Sequence, residues 1–416
     1  MKRPPQIDYV LAFCIVALVA MNAAAQELGD SEGEGPRWGG PNAVENQLRD
    51  DAAVDRPALF ERWFEWKDGL TEKHGFSFSV DYSAAYLGAN ESTGEDRAAS
   101  GMIRFFGAWD LVGRGTKNTG ALVWKVEHRH AYTDVAPSGF SFELGNIGLF
   151  VPPFSDQGLR LTNLYWRQRF NGGRIALLGG YLDPTDYLDV YALASPWTGF
   201  VNFAFSTGTT TLAIPNEGFG FAAGAMLTDS VFLIGGFGDL NSDQTDPWHT
   251  VDSFFTKHEY FKHVEIGWTP SQDRIYLDNV HLTLWHADER EEAAQPSGWG
   301  ANVSWTKHLA GKWLPFVRAG YAEDGGSLTQ RSVSIGFGYQ PNPGKNLLGL
   351  GLNWGEPNED TWGLGLRDQY TAELFYRWQI SKVVAVTPDV QYIKNPALNP
   401  GSDSLWVVGL RFRGAL

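Results

Sequence analysis

The sequence predicts an all-β fold: a transmembrane antiparallel β-barrel of about 16 strands, preceded by a short N-terminal helix. Two observations support this prediction. Apolar and polar residues alternate strictly in many short segments, which is typical of strands with two different faces. The 416-residue chain also contains 48 glycines and 17 tryptophans. Small residues suit the curved wall of a large barrel, and aromatic residues form girdles at its membrane interfaces.

The last segments of the chain show the pattern most clearly. In the segment 370–380, Tyr370, Leu374 and Trp378 lie on one face, while Glu373 and Arg377 lie on the other. A soluble strand normally turns charged residues to water and its apolar face to a core. Here the apolar face carries aromatic residues at its ends, which is typical of a strand with lipid outside and a polar lumen inside.

The N-terminus is predicted to be a secretory signal peptide, residues 1–25. Lys2 and Arg3 precede an apolar segment, and small residues precede a cleavage site before Gln26. The apolar segment is shorter than the roughly 20 residues that a spanning helix needs. The single cysteine, Cys14, lies within this segment, so the mature chain is predicted to have no disulfide and no thiol catalysis.

Residues 26–56 are acidic and glycine-rich, and they are predicted to form a flexible linker. Residues 57–75 are predicted to form a short periplasmic helix, with Pro57 in its first turn and Gly75 after its last. Two interpretations of this helix stay open. It could plug or cover the barrel mouth, or it could dock at the base of the barrel.

Residues 76–416 are predicted to form an outer-membrane β-barrel, with strands of a length that crosses a bilayer when tilted. The predicted strands are 76–86, 103–111, 122–129, 159–170, 174–182, 217–227, 230–240, 257–269, 276–287, 298–309, 312–322, 330–340, 346–356, 370–380, 384–392 and 406–412. An even number of strands with short periplasmic turns and long outer loops requires residues 200–205, which resemble a strand, to belong to an outer loop.

The formal net charge of -15 argues against a nucleic acid partner, because no basic face is available to meet phosphates. The glycine-rich segment GFGFAAG lacks the strand-to-helix context of a dinucleotide site. No cofactor is therefore predicted. A soluble sandwich or propeller remains the alternative explanation of the aromatic content.

Several segments resemble the carbohydrate-selective porin family of the OprB type. They are WFEWKDGLTEKHGFSFSVDYSAAYLGAN, LTNLYWRQRF, LLGGYLDPTDYLDVYALASPWTGFVNFAF, TAELFYRWQIS and TPDVQYIKNPALNPGSDSLWVVGLRFRGAL. The resemblance implies a sixteen-stranded outer-membrane barrel through which glucose and other small sugars diffuse. One residue departs from the usual pattern: the chain ends in Leu416 rather than an aromatic residue. By its phase Leu416 still faces lipid together with Phe412, so we expect a weaker assembly signal.

The alternation predicts which charged side chains line the lumen. A mixture of both signs suits neutral solutes, although any one of these residues could instead form a salt bridge within the wall. The predicted inward set is Arg104, Asp110, Lys125, Glu127, Arg129, Arg167, Arg169, Glu265, Arg318, Glu373, Arg377, Asp389, Arg411 and Arg413.

The loop 183–216 is the predicted constriction, because a long loop rich in aromatic residues is better placed inside the lumen than in water. Asp183, Asp186 and Trp197 are its candidate pore residues. Together with Asp189, the two acids could bind calcium, but their spacing favours turn capping. The loop 131–158 is a second candidate to face the pore.

The resulting hypothesis is an outer-membrane porin whose partners are small carbohydrates and outer-membrane lipid. The oligomeric state is left open, a homo-oligomer included. Two other functions are retained as alternatives. One is an outer-membrane barrel enzyme of the lipase or protease type, with a nucleophile near the rim, and the other is a general porin without sugar selectivity.

Overall fold

The computed structural model describes residues 60–206, 210–342, 344–363 and 365–416, so the predicted signal peptide and linker lie outside the described residues. Sixteen strands in the described residues form one closed antiparallel barrel, in which β1 pairs with β16. The strands are β1 (Phe76–Ala89), β2 (Arg97–Val112), β3 (Thr119–Ala131), β4 (Gly158–Phe170), β5 (Ile175–Leu182), β6 (Gly218–Met226), β7 (Val231–Asp239), β8 (Tyr260–Trp268), β9 (Asn279–Ala287), β10 (Gly298–Thr306), β11 (Trp313–Glu323), β12 (Thr329–Tyr339), β13 (Leu347–Pro357), β14 (Gln369–Gln379), β15 (Val384–Lys394) and β16 (Ser404–Ala415).

Four α-helices accompany the barrel in the described residues: α1 (Glu61–His74), α2 (Pro137–Leu144), α3 (Pro247–Thr256) and α4 (Glu359–Trp362). The N-terminal helix is therefore confirmed. It ends at Gly75, whose φ of 67° is left-handed. A side chain at this position would also meet the Asp110 backbone, at 2.7 Å from a Cβ atom. Among the described helices, none has the length and apolar character needed to cross a bilayer.

The connections between strands differ at the two rims of the barrel. One rim has the shorter turns 113–118, 171–174, 227–230, 269–278, 307–312, 340–346 and 380–383, together with the start of β1 and the end of β16. The other rim has most of the longer connections, including 132–157, 183–217 and 240–259. Residues 200–205 lie within one of these, and Phe203–Phe205 form a single 3-10 turn. The interpretation of this segment as part of a loop is confirmed.

The alternation of the sequence becomes an alternation between the outer wall and the lumen. In β14 the side chains of Tyr370, Leu374 and Trp378 are exposed on the outer wall, while those of Glu373 and Arg377 are buried inside. This is the arrangement expected of a barrel with lipid outside and polar groups inside. The chain end continues the sheet, because the backbone N–H of Leu416 donates to the carbonyl oxygen of Val80 at 2.6 Å.

Helix α1 packs on the outside of the barrel. Phe64 of α1 is buried in an apolar cluster with Val384 and Phe412. Phe412 faces outward, because its neighbour Arg411 donates to the loop inside the barrel. Val384 faces the same way, because it pairs with Gly414, which lies on the same face of β16 as Phe412. The interpretation of this helix as a plug or lid of the barrel mouth is therefore wrong, because its apolar face covers the outer wall.

Candidate functional site

The described residues of the loop 183–216 lie inside the barrel lumen. Phe200 packs against Phe205 within the loop, with ring centroids 4.8 Å apart, and against Phe375 of β14 at 4.9 Å. Phe316 of β11 completes this cluster at 5.8 Å from Phe200. Aromatic side chains on the lumenal face of the wall thus pack against the aromatic side chains of the loop. Burial of these rings supplies the apolar part of the force that holds the loop in the lumen.

Asp189 is the most strongly held residue of the loop. Its carboxylate accepts a hydrogen bond from Arg318 Nη2 at 2.6 Å and contacts His281 Nε2 at 2.8 Å. Its backbone N–H donates to Glu265 Oε2 at 2.7 Å. Burial alone would raise the pKa of Asp189, but the Arg318 guanidinium holds this pKa below its usual value. Asp189 has a left-handed φ of 52°, so these contacts also hold a strained backbone.

Two further lumenal side chains hold the far part of the loop. Glu373 accepts hydrogen bonds from the backbone N–H groups of Val201 at 2.6 Å and Asn202 at 2.8 Å. Arg411 donates to the carbonyl oxygens of Pro196 and Gly199, both at 2.6 Å. The backbone N–H and C=O groups of this part of the loop are buried but are not paired within a helix or sheet. The charged side chains supply the hydrogen bonds that these groups need.

The loop 131–158 meets this constriction loop through backbone pairing. Val151 N–H donates to the carbonyl oxygen of Val201, and Phe203 N–H donates to that of Leu149, both at 2.8 Å. Phe154 also packs against Trp197, with ring centroids 5.8 Å apart. The two loops therefore form one inserted unit rather than two independent flaps.

A cavity of about 440 Å³ lies between this unit and the wall formed by β3 and β4. One side of the cavity is polar and carries alternating charges: Lys125, Glu127, Arg129, Arg160, Asp183, Asp186 and Glu217. The lining also contains apolar residues, most of them from the inserted loops: Val151, Pro152, Pro153, Trp197, Leu212, Ile214 and Leu328. A solute in this cavity would thus meet both hydrogen-bonding groups and apolar surfaces.

The charges of the polar side are paired. Lys125 Nζ lies 2.8 Å from Asp183 Oδ2 and 3.7 Å from Asp186 Oδ1. Arg129 bonds Glu127 and lies 3.6 Å from Glu217, which is also 3.8 Å from Arg160. Cations and carboxylates on one wall offer donors and acceptors at the same time, without a field of one sign.

The two acids beside Lys125 have different proton affinities. Burial would raise both pKa values, but the nearby Lys125 ammonium and the hydroxyl and N–H of Thr185 hold the pKa of Asp183 below its usual value. For Asp186, burial wins over the more distant Lys125, and the charge of Asp183 adds to the effect. The pKa of Asp186 is therefore raised to about 7.

Trp197 differs from the other apolar lining residues because the Arg104 cation lies over its ring. The Arg104 guanidinium carbon lies 3.7 Å from the centroid of the Trp197 ring. Arg104 is in turn fixed by Asp81, which accepts from its Nε at 2.7 Å. The indole plane is thereby held by a cation–π contact and an ion pair behind it.

The structure separates the predicted lumenal residues into groups with different positions. Lys125, Glu127, Arg129, Asp183, Asp186 and Trp197 line the cavity. Glu265, Arg318, Glu373 and Arg411 hold the loop, as described above. Arg104 and Arg413 bind Asp81, and Asp389 accepts from Gln391 Nε2 at 3.0 Å. Arg167, Arg169, Asp110 and Arg377 do not line the cavity, and Arg377 donates to the Lys345 carbonyl oxygen near the short-turn rim.

Arg160 lines the cavity but is absent from the predicted set, because of a β-bulge in β4. The pairing with β3 skips Thr162, so that Lys125 opposes Asn163 and Val126 opposes Leu161. After the bulge, odd-numbered residues of β4 such as Arg167 face the lumen, whereas before it even-numbered residues such as Arg160 do. Strict alternation counted backward from Arg167 therefore predicts, wrongly, that Arg160 faces outward. Glu217 and Gln244 also line the cavity from connections, where no strand phase could find them.

The three acids of the constriction loop go to different partners. Asp183 accepts from the Thr185 backbone N–H at 3.0 Å, which is the predicted capping role. Asp186 accepts from Asn163 Nδ2 at 3.2 Å, and Asp189 binds Arg318 and His281. Within the described part of the chain, no group of three metal-ligating side chains is present.

Comparison with known proteins agrees with this architecture. OprB of Pseudomonas putida, in its high-pH structure, matches with a TM-score of 0.67 at 14% identity, over 93% of this chain and 100% of that chain. Its low-pH structure matches with a TM-score of 0.50 at 14% identity, over 86% and 97%. A mutant of Rh. blastica porin matches with a TM-score of 0.51 at 12% identity, over 82% and 100%. At such identities the likeness shows the fold.

A search of curated protein sequences gives no match. The family of carbohydrate-selective porins of the OprB type matches residues 64–308 and 276–416, which together span the whole barrel. The fold and this match indicate a channel rather than an enzyme, and a bacterial outer-membrane protein. The chain belongs to the OprB family of carbohydrate-selective porins.

Proposed function

We propose that this porin passes small uncharged sugars of the size of glucose, and that their path runs through the cavity between β3, β4 and the inserted loops. The observation that carries the proposal is that the cavity is lined by both a group of paired charges and several apolar side chains. A pyranose presents hydroxyl groups at its edge and C–H groups on its faces. The paired charges around Lys125 and Arg129 can replace water at the hydroxyls, while Trp197, Pro152 and Pro153 can cover the faces.

The dimensions and charges of the cavity support a small neutral solute. Its volume of about 440 Å³ falls within the range of about 300–1,000 Å³ found for small-molecule sites. Each cation on its polar side has a carboxylate neighbour, so no single sign attracts ions at the expense of neutral molecules. A general porin without sugar selectivity would not require the fixed aromatic plane of Trp197.

Swelling of proteoliposomes in isotonic sugar solutions tests this function. We expect glucose to enter rapidly and the trisaccharide raffinose to enter far more slowly, because the inserted loops leave only a narrow path. Entry of both sugars at equal rates would favour a general porin. Absence of entry by either sugar would contradict the proposal.

The ion selectivity of the channel is expected to depend on pH through Asp186. Because burial raises the pKa of Asp186 to about 7, its carboxyl group is neutral below this value and negative above it. From about pH 6 to about pH 8 the cavity thus gains negative charge, and the permeability ratio of K⁺ to Cl⁻ should rise. Reversal potentials in a salt gradient measure this ratio.

Asp186→Asn should abolish most of this pH dependence. The matched control is Asp243→Asn in an outer loop, where hydrogen bonds from Thr245 hold the pKa of Asp243 below its usual value. That carboxylate stays charged over the same range, so its loss should leave the slope unchanged. An Asp186→Asn channel with the wild-type slope would show that another group titrates.

A further inference from the structure

Two helices lie on the outer wall of the barrel, one at each rim. Helix α1 directly precedes β1 at the rim with the short turns, and α3 lies in the connection 240–259 at the opposite rim. Neither helix enters the pore, and neither is needed to close the sheet. Their position calls for a separate explanation.

Helix α1 packs onto outward-facing aromatic residues. Asp81 of β1 faces the lumen, because it binds Arg104, which lies over Trp197 there. Side chains alternate along a strand, so the even-numbered residues of β1 face outward. Phe78 is one of these, and the rings of Trp63 and Trp66 both lie 6.0 Å from it. The contact buries Phe78, whereas Trp66 itself remains 51% exposed.

Helix α3 repeats this arrangement at the other rim. Phe254 contacts the outward rings of Phe219 at 5.0 Å, Phe237 at 5.8 Å and Tyr260 at 5.0 Å. Beyond these contacts, Trp248 is 82% exposed, and Phe255 is 59% exposed although its ring centroid lies 5.6 Å from that of Phe219. A tryptophan with so much surface in water is unfavourable, since its ring is largely apolar.

The exposed aromatic residues continue the apolar surface of the barrel wall. Near α1, the wall residues Phe105 and Trp109 are exposed, and Trp109 Nε1 donates to the carbonyl oxygen of His74 at 3.1 Å. Near α3, Phe221 and Phe237 are exposed on the same wall. This wall is the surface that a transmembrane barrel turns to lipid. Polar residues on other sides of the helices include Glu65 in α1 and His249 in α3, each one position from the exposed tryptophan and so turned by about 100° from it.

We propose that α1 and α3 are membrane-interface helices, which lie at the boundary between headgroups and acyl chains in the two opposite leaflets. Trp66 and Trp248 insert into this boundary, while the helix sides that carry Glu65 and His249 face water. A short helix with one apolar and one charged side lies in such a plane rather than across the bilayer. The pair therefore sets the height of the barrel in the membrane from both rims, independently of which solute passes the pore.

Site-directed spin labelling in phospholipid vesicles tests the proposal. Cys14 is the only cysteine of the sequence, so a Cys14→Ala chain accepts single labels. Single labels would be attached at Trp66→Cys and Trp248→Cys, with Glu65→Cys and His249→Cys as matched controls on the same helices. The measured quantity is the ratio of collisions with oxygen, which concentrates in lipid, to collisions with a water-soluble nickel chelate.

We expect this ratio to be roughly tenfold higher at the two former tryptophan positions than at the two controls. Heat-modifiable migration on a gel confirms that each variant has a folded barrel. Equal ratios within each helix would overturn the proposal, because both sides would then face water. Protection of positions 66 and 248 from both reagents would also overturn it, since a second protein copy would then cover the helices.

Discussion

Asp189→Ala is expected to loosen the part of the constriction loop around residue 189 and to raise the single-channel conductance. The substitution leaves Arg318, which is 1% exposed, without the carboxylate that it binds at 2.6 Å. It also removes one of the two hydrogen-bond partners of the His281 ring, the other being Asn279. Removing one member of a buried ion pair costs about 3–5 kcal/mol. Since each 1.4 kcal/mol or so is a factor of ten in population, a rare open arrangement of the loop becomes a common one.

Planar-bilayer recording measures this effect directly. We expect a larger mean conductance, and faster entry of raffinose into proteoliposomes, because the loosened part of the loop obstructs the lumen less of the time. The barrel wall itself should persist, since Asp189 lies in the loop and takes no part in strand pairing. Heat-modifiable migration should accordingly stay close to that of the wild type.

The control for this prediction is another arginine–aspartate pair in a different setting. Arg174 and Asp229 lie 2.8 Å apart at the rim with the short turns, where the Asp229 side chain is 93% exposed. An exposed pair contributes only about 0–1 kcal/mol. Asp229→Ala should therefore leave the conductance unchanged. If Asp189→Ala behaves in the same way, Asp189 does not hold the loop.

Glu373→Ala is expected to free the tip of the same loop and to produce a noisier, more conductive channel. Its carboxylate is the acceptor for the backbone N–H groups of both Val201 and Asn202. Buried donors that lose their acceptor cost about 1–3 kcal/mol each. The aromatic packing of Phe200 remains in this variant, so we expect fluctuation of the tip rather than release of the entire loop.

Open-channel current noise measures this fluctuation, and Glu373→Gln provides an intermediate. The amide keeps one acceptor oxygen but places an NH₂ group where the carboxylate has a second oxygen, so its noise should lie between those of the wild type and Glu373→Ala. As a control, Glu356→Ala removes a glutamate paired with Arg331 at 3.0 Å on the outer part of the wall. Quiet traces from Glu373→Ala would contradict the anchoring role.

The barrel could be predicted from the sequence because two different solvents act on its two faces. Lipid selects the apolar side and the lumen selects the polar side, so that each of the sixteen predicted strands recurs in the structure with shifted ends. The largest shift is at β2, which begins at Arg97 instead of 103. Residues 97–102 are mostly small, and small residues carry little alternation of hydrophobicity.

The constriction could be predicted only in part. The length and aromatic content of residues 183–216 indicate a loop inside the lumen, and that is where it lies. The function of each inward charge could not be read from strand phase, because its partner comes from a distant segment. Arg318 binds Asp189, 129 residues away in sequence. Phe375 likewise lies on the predicted polar face and packs against the loop. Arg160 could not be predicted for a different, local reason: the bulge at Thr162 changes which residues of β4 face the lumen.

The central claim is that sugars pass over Trp197 in the cavity between the inserted loops and the β3–β4 wall. The most direct measurement is the reduction of single-channel current by added glucose, compared between wild type and Trp197→Ala. The control is Trp299→Ala, because Trp299 is exposed on the outer wall. We predict that glucose reduces the current of the wild type and of the control equally, and that Trp197→Ala weakens the apparent glucose affinity roughly tenfold. An unchanged response in Trp197→Ala would contradict the account.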